Sequence, residues 1–96
     1  DPAYRDTLGA AQLALGRATE AEAILRPLLT DCENGTPLWF RASTHLAEAE
    51  IALDRKPEAE QRLQEILRSA VGIPDIDVFR AKRLLDQLEL ERLQKK

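Results

Sequence analysis

The run Leu8-Gly9-Ala10-Ala11-Gln12-Leu13-Ala14-Leu15-Gly16-Arg17-Ala18-Thr19-Glu20-Ala21-Glu22 returns in altered form from Leu46 to Glu60. Ala21 is answered by Ala59, 38 residues further on. Each copy reads as a helix, a tight turn at Gly16-Arg17 or Asp54-Arg55, and a second helix opening on Glu-Ala-Glu. A helix–turn–helix unit of this kind cannot bury its apolar face alone and must stack on a neighbour. That requirement decides the class of fold before any single residue is weighed.

The rest of the chain agrees. Ala, Leu, Glu, Arg and Gln dominate, and Val occurs only at Val71 and Val78, which leaves little material for a sheet. A length of 96 residues suits one domain. The net charge of −3 argues against a nucleic-acid binder, which carries a basic footprint. The basic residues Arg80, Lys82, Arg83, Arg92, Lys95 and Lys96 are interleaved with acids and read as a solvated helix face. Cys32 stands alone, so no internal disulfide is expected, which fits the cytoplasm without demanding it. No apolar run reaches the length of a membrane span. The chain opens on Asp1 rather than Met and reads as a piece of something longer.

Five helices are expected. The first runs from Pro2 to Leu15, with Tyr4, Leu8, Ala11 and Leu15 as one apolar stripe. Gly16 supplies the positive φ that ends it. The second opens at Thr19, where Thr19 and Glu22 form a capping box. It carries Ala21, Ile24, Leu25, Leu28 and Leu29, with a kink or short break before Pro27. Thr36-Pro37 caps the third, which runs to Leu53 with Leu38 or Trp39, Ala42, Leu46, Ala49 and Leu53 inward. Of Trp39 and Phe40, one is expected to pack inward and the other to be exposed. Pro57 begins the fourth, with Ala59, Leu63, Ile66, Leu67 and Ala70. The fifth extends from Asp75 or Asp77 to Gln94, with Val78, Ala81, Leu84, Leu85 and Leu88 inward.

The two copies resemble tetratricopeptide repeats. The matching residues are Leu8, Gly9, Gly16, Ala21, Leu25 and Leu28 in the first copy. In the second they are Leu46, Ala47, Asp54, Ala59, Leu63 and Ile66. The resemblance implies an all-α, right-handed antiparallel helical-hairpin stack: repeat one over 2–34, repeat two over 37–71, and a capping helix over 75–94. Paired helices would cross closely at Gly9 with Ala21 and at Ala47 with Ala59. The sequence departs from the family pattern in several places. Gln12 and Glu50 replace a bulky aromatic, Asp54 replaces the turn Gly, and Ala18 and Lys56 stand where Tyr is common. The 38-residue spacing exceeds the family's usual one, so a longer second helix or a longer loop near Asn34-Gly35-Thr36-Pro37 is expected.

Nothing in the sequence assembles a catalytic centre. One His and one Cys do not make a zinc site. Ser43 and His45 are two apart on a helix and point different ways. No Gly-rich phosphate loop follows a strand. Glu48, Glu50, Glu58 and Glu60 read as too charged for a core. No cofactor, metal or catalytic residue is therefore expected.

The resemblance implies instead a module that binds another protein or a peptide in a shallow concave groove. Its contact residues would be Asp6 and Leu13, beside Ala10, in the first unit and Arg41, Thr44, His45 and Glu48 in the second. Asp6 and Ala10 stand where some relatives carry a clamp for a terminal carboxylate, so that clamp is not expected. The alternatives are self-association through the uncapped first hairpin, giving a homo-oligomer, or a non-catalytic terminal segment of a larger enzyme or regulator.

Overall fold

In the computed structural model, which describes residues 1–95, Gly16 and Asp54 both adopt left-handed backbone, with φ of 76° and 61°. The bonds around them match. Arg17 N–H donates to the Gln12 carbonyl at 2.8 Å and Gly16 N–H to Leu13 at 3.0 Å. Thirty-eight residues later, Arg55 N–H donates to Glu50 at 2.8 Å and Asp54 N–H to Ile51 at 3.1 Å. These are Schellman closures, which use the carbonyls a helix end leaves over. Glycine takes this conformation freely, and Asp is among the few L-residues that tolerate it. The next helix begins at once: the carbonyls of Arg17 and Arg55 accept from Ala21 and Ala59.

The elements are α1 (Pro2–Ala14), α2 (Ala18–Asp31), α3 (Pro37–Ala52), α4 (Lys56–Ser69) and α5 (Ile76–Gln94). The described residues are thus all-helical, with the expected number and order of helices. Asp1, Thr36 and Asp75 cap α1, α3 and α5 by accepting from backbone N–H groups. The expected Thr19 cap is not there. Arg17 already occupies the N-cap of α2 without a side-chain bond, and Thr19 lies inside the first turn. The turn is too short to leave room for a separate capping residue. Pro27 sits inside α2, which continues unbroken to Asp31.

Each helix packs against the next, and α3 also packs against α1 and α5. Two apolar clusters result. Ala21, Leu25 and Leu28 of α2 meet Ala42, Leu46 and Ala49 of α3. Ala59, Leu63 and Ile66 of α4 meet Ala81, Leu85 and Leu88 of α5, with Trp39, Phe40 and Ala47 completing the group. Because α3 touches all four other helices, it is covered on most sides. Both Trp39 and Phe40 are consequently buried, with ring centroids 5.3 Å apart in an edge-to-face pair. The expectation of one exposed aromatic fails for that reason.

The structure also places the α1 stripe and corrects two further expectations. The apolar stripe of α1 faces outward: Tyr4 is 64%, Leu8 38% and Leu15 65% exposed. The buried side of α1 is Asp6 and Gly9. Glu50 is fully buried rather than solvated, since Arg62 grips both its carboxylate oxygens at 2.8 and 3.2 Å. The wide spacing does not come from a longer second helix, because α2 and α4 each have 14 residues. It lies in the link through Thr36 and in α3, which has 16 residues against 13 in α1.

Candidate functional site

Asp6, Arg41 and His45 come together where α1 crosses α3. Asp6 is buried, and its Oδ1 lies 2.8 Å from His45 Nδ1, while Oδ2 lies 3.8 Å from Arg41 Nε. An isolated buried carboxylate would be strongly disfavoured; these two partners offset that. Asp77, at the start of α5, faces the same group from the other side. Burial and the neighbouring Asp75 push its carboxyl above the usual range, while His45, Arg41 and Arg80 pull against them. Arg41 remains exposed at the surface of this cluster.

The other expected contact residues separate from this group. Thr44 is buried; its hydroxyl donates to the Phe40 carbonyl at 2.7 Å and lies 3.4 Å from the Asp77 carbonyl. It joins α3 to α5 and has no surface to offer a partner. Leu13 is partly buried against the α2–α3 cluster. Glu48 turns toward α5, where Arg80 Nη2 donates to Oε2 at 2.8 Å. Its other oxygen, Oε1, is buried and has no hydrogen-bond partner among the described residues.

Glu48 also borders a feature that sequence reading missed. An open cleft of about 320 Å³ lies between the C-terminal turns of α3 and the middle of α5. Ile51, Ala52, Leu84 and Leu88 supply its apolar lining, and Glu48, Gln87, Lys56 and Glu91 its polar lining. Lys56 Nζ donates to Glu91 Oε2 at 3.1 Å along one edge. The volume is at the lower end of small ligand pockets and is large enough for an aliphatic side chain. Leu84 reads in sequence as an ordinary core position. It is partly uncovered because it borders the cleft.

A second charged group serves cohesion. Arg26 and Arg55 both donate to Glu22 Oε2 at 2.6 Å, and Arg62 with Arg26 surrounds Glu50. These bonds to guanidinium groups hold the Glu22 carboxyl below its usual range. The Cys32 thiol is half-buried against both apolar clusters, and burial raises its pKa, as expected of a small packing residue. Ser43 is buried away from His45's partner, and its Oγ has no hydrogen bond among the described residues. Among those residues no group of three or more His, Cys, Asp or Glu gathers in metal-binding geometry, and no helix is long and apolar enough to cross a membrane. No family model matches the chain, and neither curated proteins nor solved structures yield a match.

Proposed function

We propose that this chain is a protein-interaction module: two tetratricopeptide-like hairpins in a right-handed stack, closed by α5 as a capping helix. Support comes from the identical turn bonds 38 residues apart and from the side-by-side packing of α1, α3 and α5. In this reading those three helices form the concave side. A partner's extended segment crosses Arg41 and His45 and sets an aliphatic side chain into the cleft over Ile51, Ala52, Leu84 and Leu88. The cleft carries the proposal, because an apolar lining with a few polar groups is the usual form of a specific anchor point. The role is binding rather than catalysis, with Asp6 fixing His45 and Arg41 in place.

Selection from a displayed library of random peptides tests this. Enriched sequences should share an aliphatic residue beside polar ones. Their affinity should fall at least about tenfold for Ala52→Glu, which puts charge into the apolar lining, and also for Arg41→Glu. Both positions are exposed, so the fold should survive. Peptides that bind both variants as well as the parent would place the contact elsewhere.

A further inference from the structure

Asn34 is the only Asn of the chain, and Gly35 follows it directly. The pair lies in the link between α2 and α3, outside any helix. Asn34 is exposed, and Gly35 holds a left-handed φ of 84°. The Gly35 N–H makes no backbone hydrogen bond among the described residues. A Cβ built on Gly35 would meet nothing within 4 Å. The Gly35 nitrogen is therefore not tied up in the main chain, and no side chain of its own shields it. It is also the atom that closes a five-membered ring on reaching Asn34 Cγ.

The next residue gives this pair its leverage. Thr36 caps α3: its hydroxyl accepts from the Trp39 N–H at 3.3 Å and donates to the Glu33 carbonyl at 2.8 Å. The Thr36 N–H also donates to that carbonyl, at 3.4 Å. Asn34 and Gly35 are the two residues enclosed between these bonded ends. A change in main-chain length there acts on the cap and on the first turn of α3, which carries the buried Trp39–Phe40 pair.

We propose that Asn34–Gly35 is a self-modification site, converting to aspartate and isoaspartate at position 34 and thereby loosening the start of α3. The Gly35 nitrogen gives its proton to hydroxide and attacks Asn34 Cγ. The side-chain nitrogen leaves as ammonia, and a cyclic imide forms. Water then opens the imide at either carbonyl. One opening restores the ordinary main chain with an aspartate. The other routes the main chain through the former side chain, one carbon longer. Water is consumed and ammonia released, with no change of oxidation state. Both products add an acid beside Asp31 and Glu33. Only the longer chain parts Glu33 from Thr36.

The test incubates the folded chain in mildly alkaline buffer beside a sample unfolded in urea. Tryptic digestion isolates residues 18–41, whose mass and splitting into two acidic products report conversion. An isoaspartyl methyltransferase with a labelled methyl donor counts the isoaspartate. The folded chain should convert within about tenfold of the unfolded rate. Asn34→Gln should not convert, and Gly35→Asp should slow conversion at least about tenfold. The latter should keep the turn, since Asp54 already holds a φ of 61° in this chain. The isoaspartate fraction should show red-shifted emission from Trp39, the single Trp, and a lower urea midpoint. Asn34→Asp should stay near the parent in both. Conversion arrested by folding overturns the proposal, as does a Gly35→Asp chain that converts as fast as the parent. So does an isoaspartate fraction with the parent's emission and midpoint.

Discussion

At Gly9, α1 approaches α2 closely. A Cβ built there would lie 2.7 Å from both Cγ and Cδ2 of Leu25. Leu25 is itself fully buried. At the matching position α3 carries Ala47, whose methyl group is accommodated beside Ala59 and Leu63. The two hairpins therefore differ in how tightly their helices cross. For Gly9→Ala, overpacking of about 1–3 kcal/mol competes with a gain of about 1 kcal/mol in helix propensity. We expect a net loss of about 1 kcal/mol, read from the urea midpoint at unchanged m-value. A stabilised variant would show that Leu25 can yield.

At the scale of the helices, the hairpins are joined by charge as well as by apolar contact. Glu50 of α3 is enclosed by Arg62 of α4 and approached at 3.5 Å by Arg26 of α2. Removing a partner from a buried pair leaves an uncompensated charge, which is costlier than losing the pair. Arg62→Ala should destabilise by about 3 kcal/mol. Glu50→Gln together with Arg62→Ala should recover part of that loss in a denaturation cycle. Additive effects would mean that the pair is not coupled.

Much of this element layout was legible beforehand, because helix limits depend on local signals: Thr36-Pro37, Gly16, Pro57, and the apolar spacings. The failures share one cause, which is that the deciding residue sits on a different helix. The stripe of α1 is visible as apolar and Gly9 as a place of close crossing, but nothing local shows that Asp6 shares the inward face with Gly9. Glu50 looks like surface until Arg62 is seen beside it. Thr19 looks like a cap because nothing local reveals that Arg17 already closes one helix and opens the next. At the site, Asp6, Arg41 and His45 do converge. Thr44 and Leu13 go to packing, the first against α5 and the second against the α2–α3 cluster. The cleft is lined by residues from α3, α4 and α5, a meeting that no short stretch of sequence encodes.

For the whole molecule, the charge ties predict how stability varies with acidity. Glu22 has its folded pKa held below the ordinary value of 4.5 by hydrogen bonds from Arg26 and Arg55. A depressed carboxylate contributes stability that is complete above its unfolded pKa and is lost as pH falls through the lower folded value. Asp77 works in the opposite sense: its raised pKa favours the folded state in acid and weakens that contribution as pH rises. With Glu22 linking two hairpins, its effect should appear in the global transition. Between about pH 6 and about pH 3 the urea midpoint of Glu22→Gln should fall less than that of the parent. Parallel curves would show that Glu22 is not coupled to unfolding.

Arg55 holds two posts at once. Its amide closes the joint between α3 and α4, and its guanidinium reaches Glu22 on α2. The first task needs only main chain, whereas the second needs the charged head. A side-chain change at this position can therefore loosen α2 from the α3–α4 joint while the joint itself keeps its main-chain closure, making residue 55 a point at which one contact yields without the other.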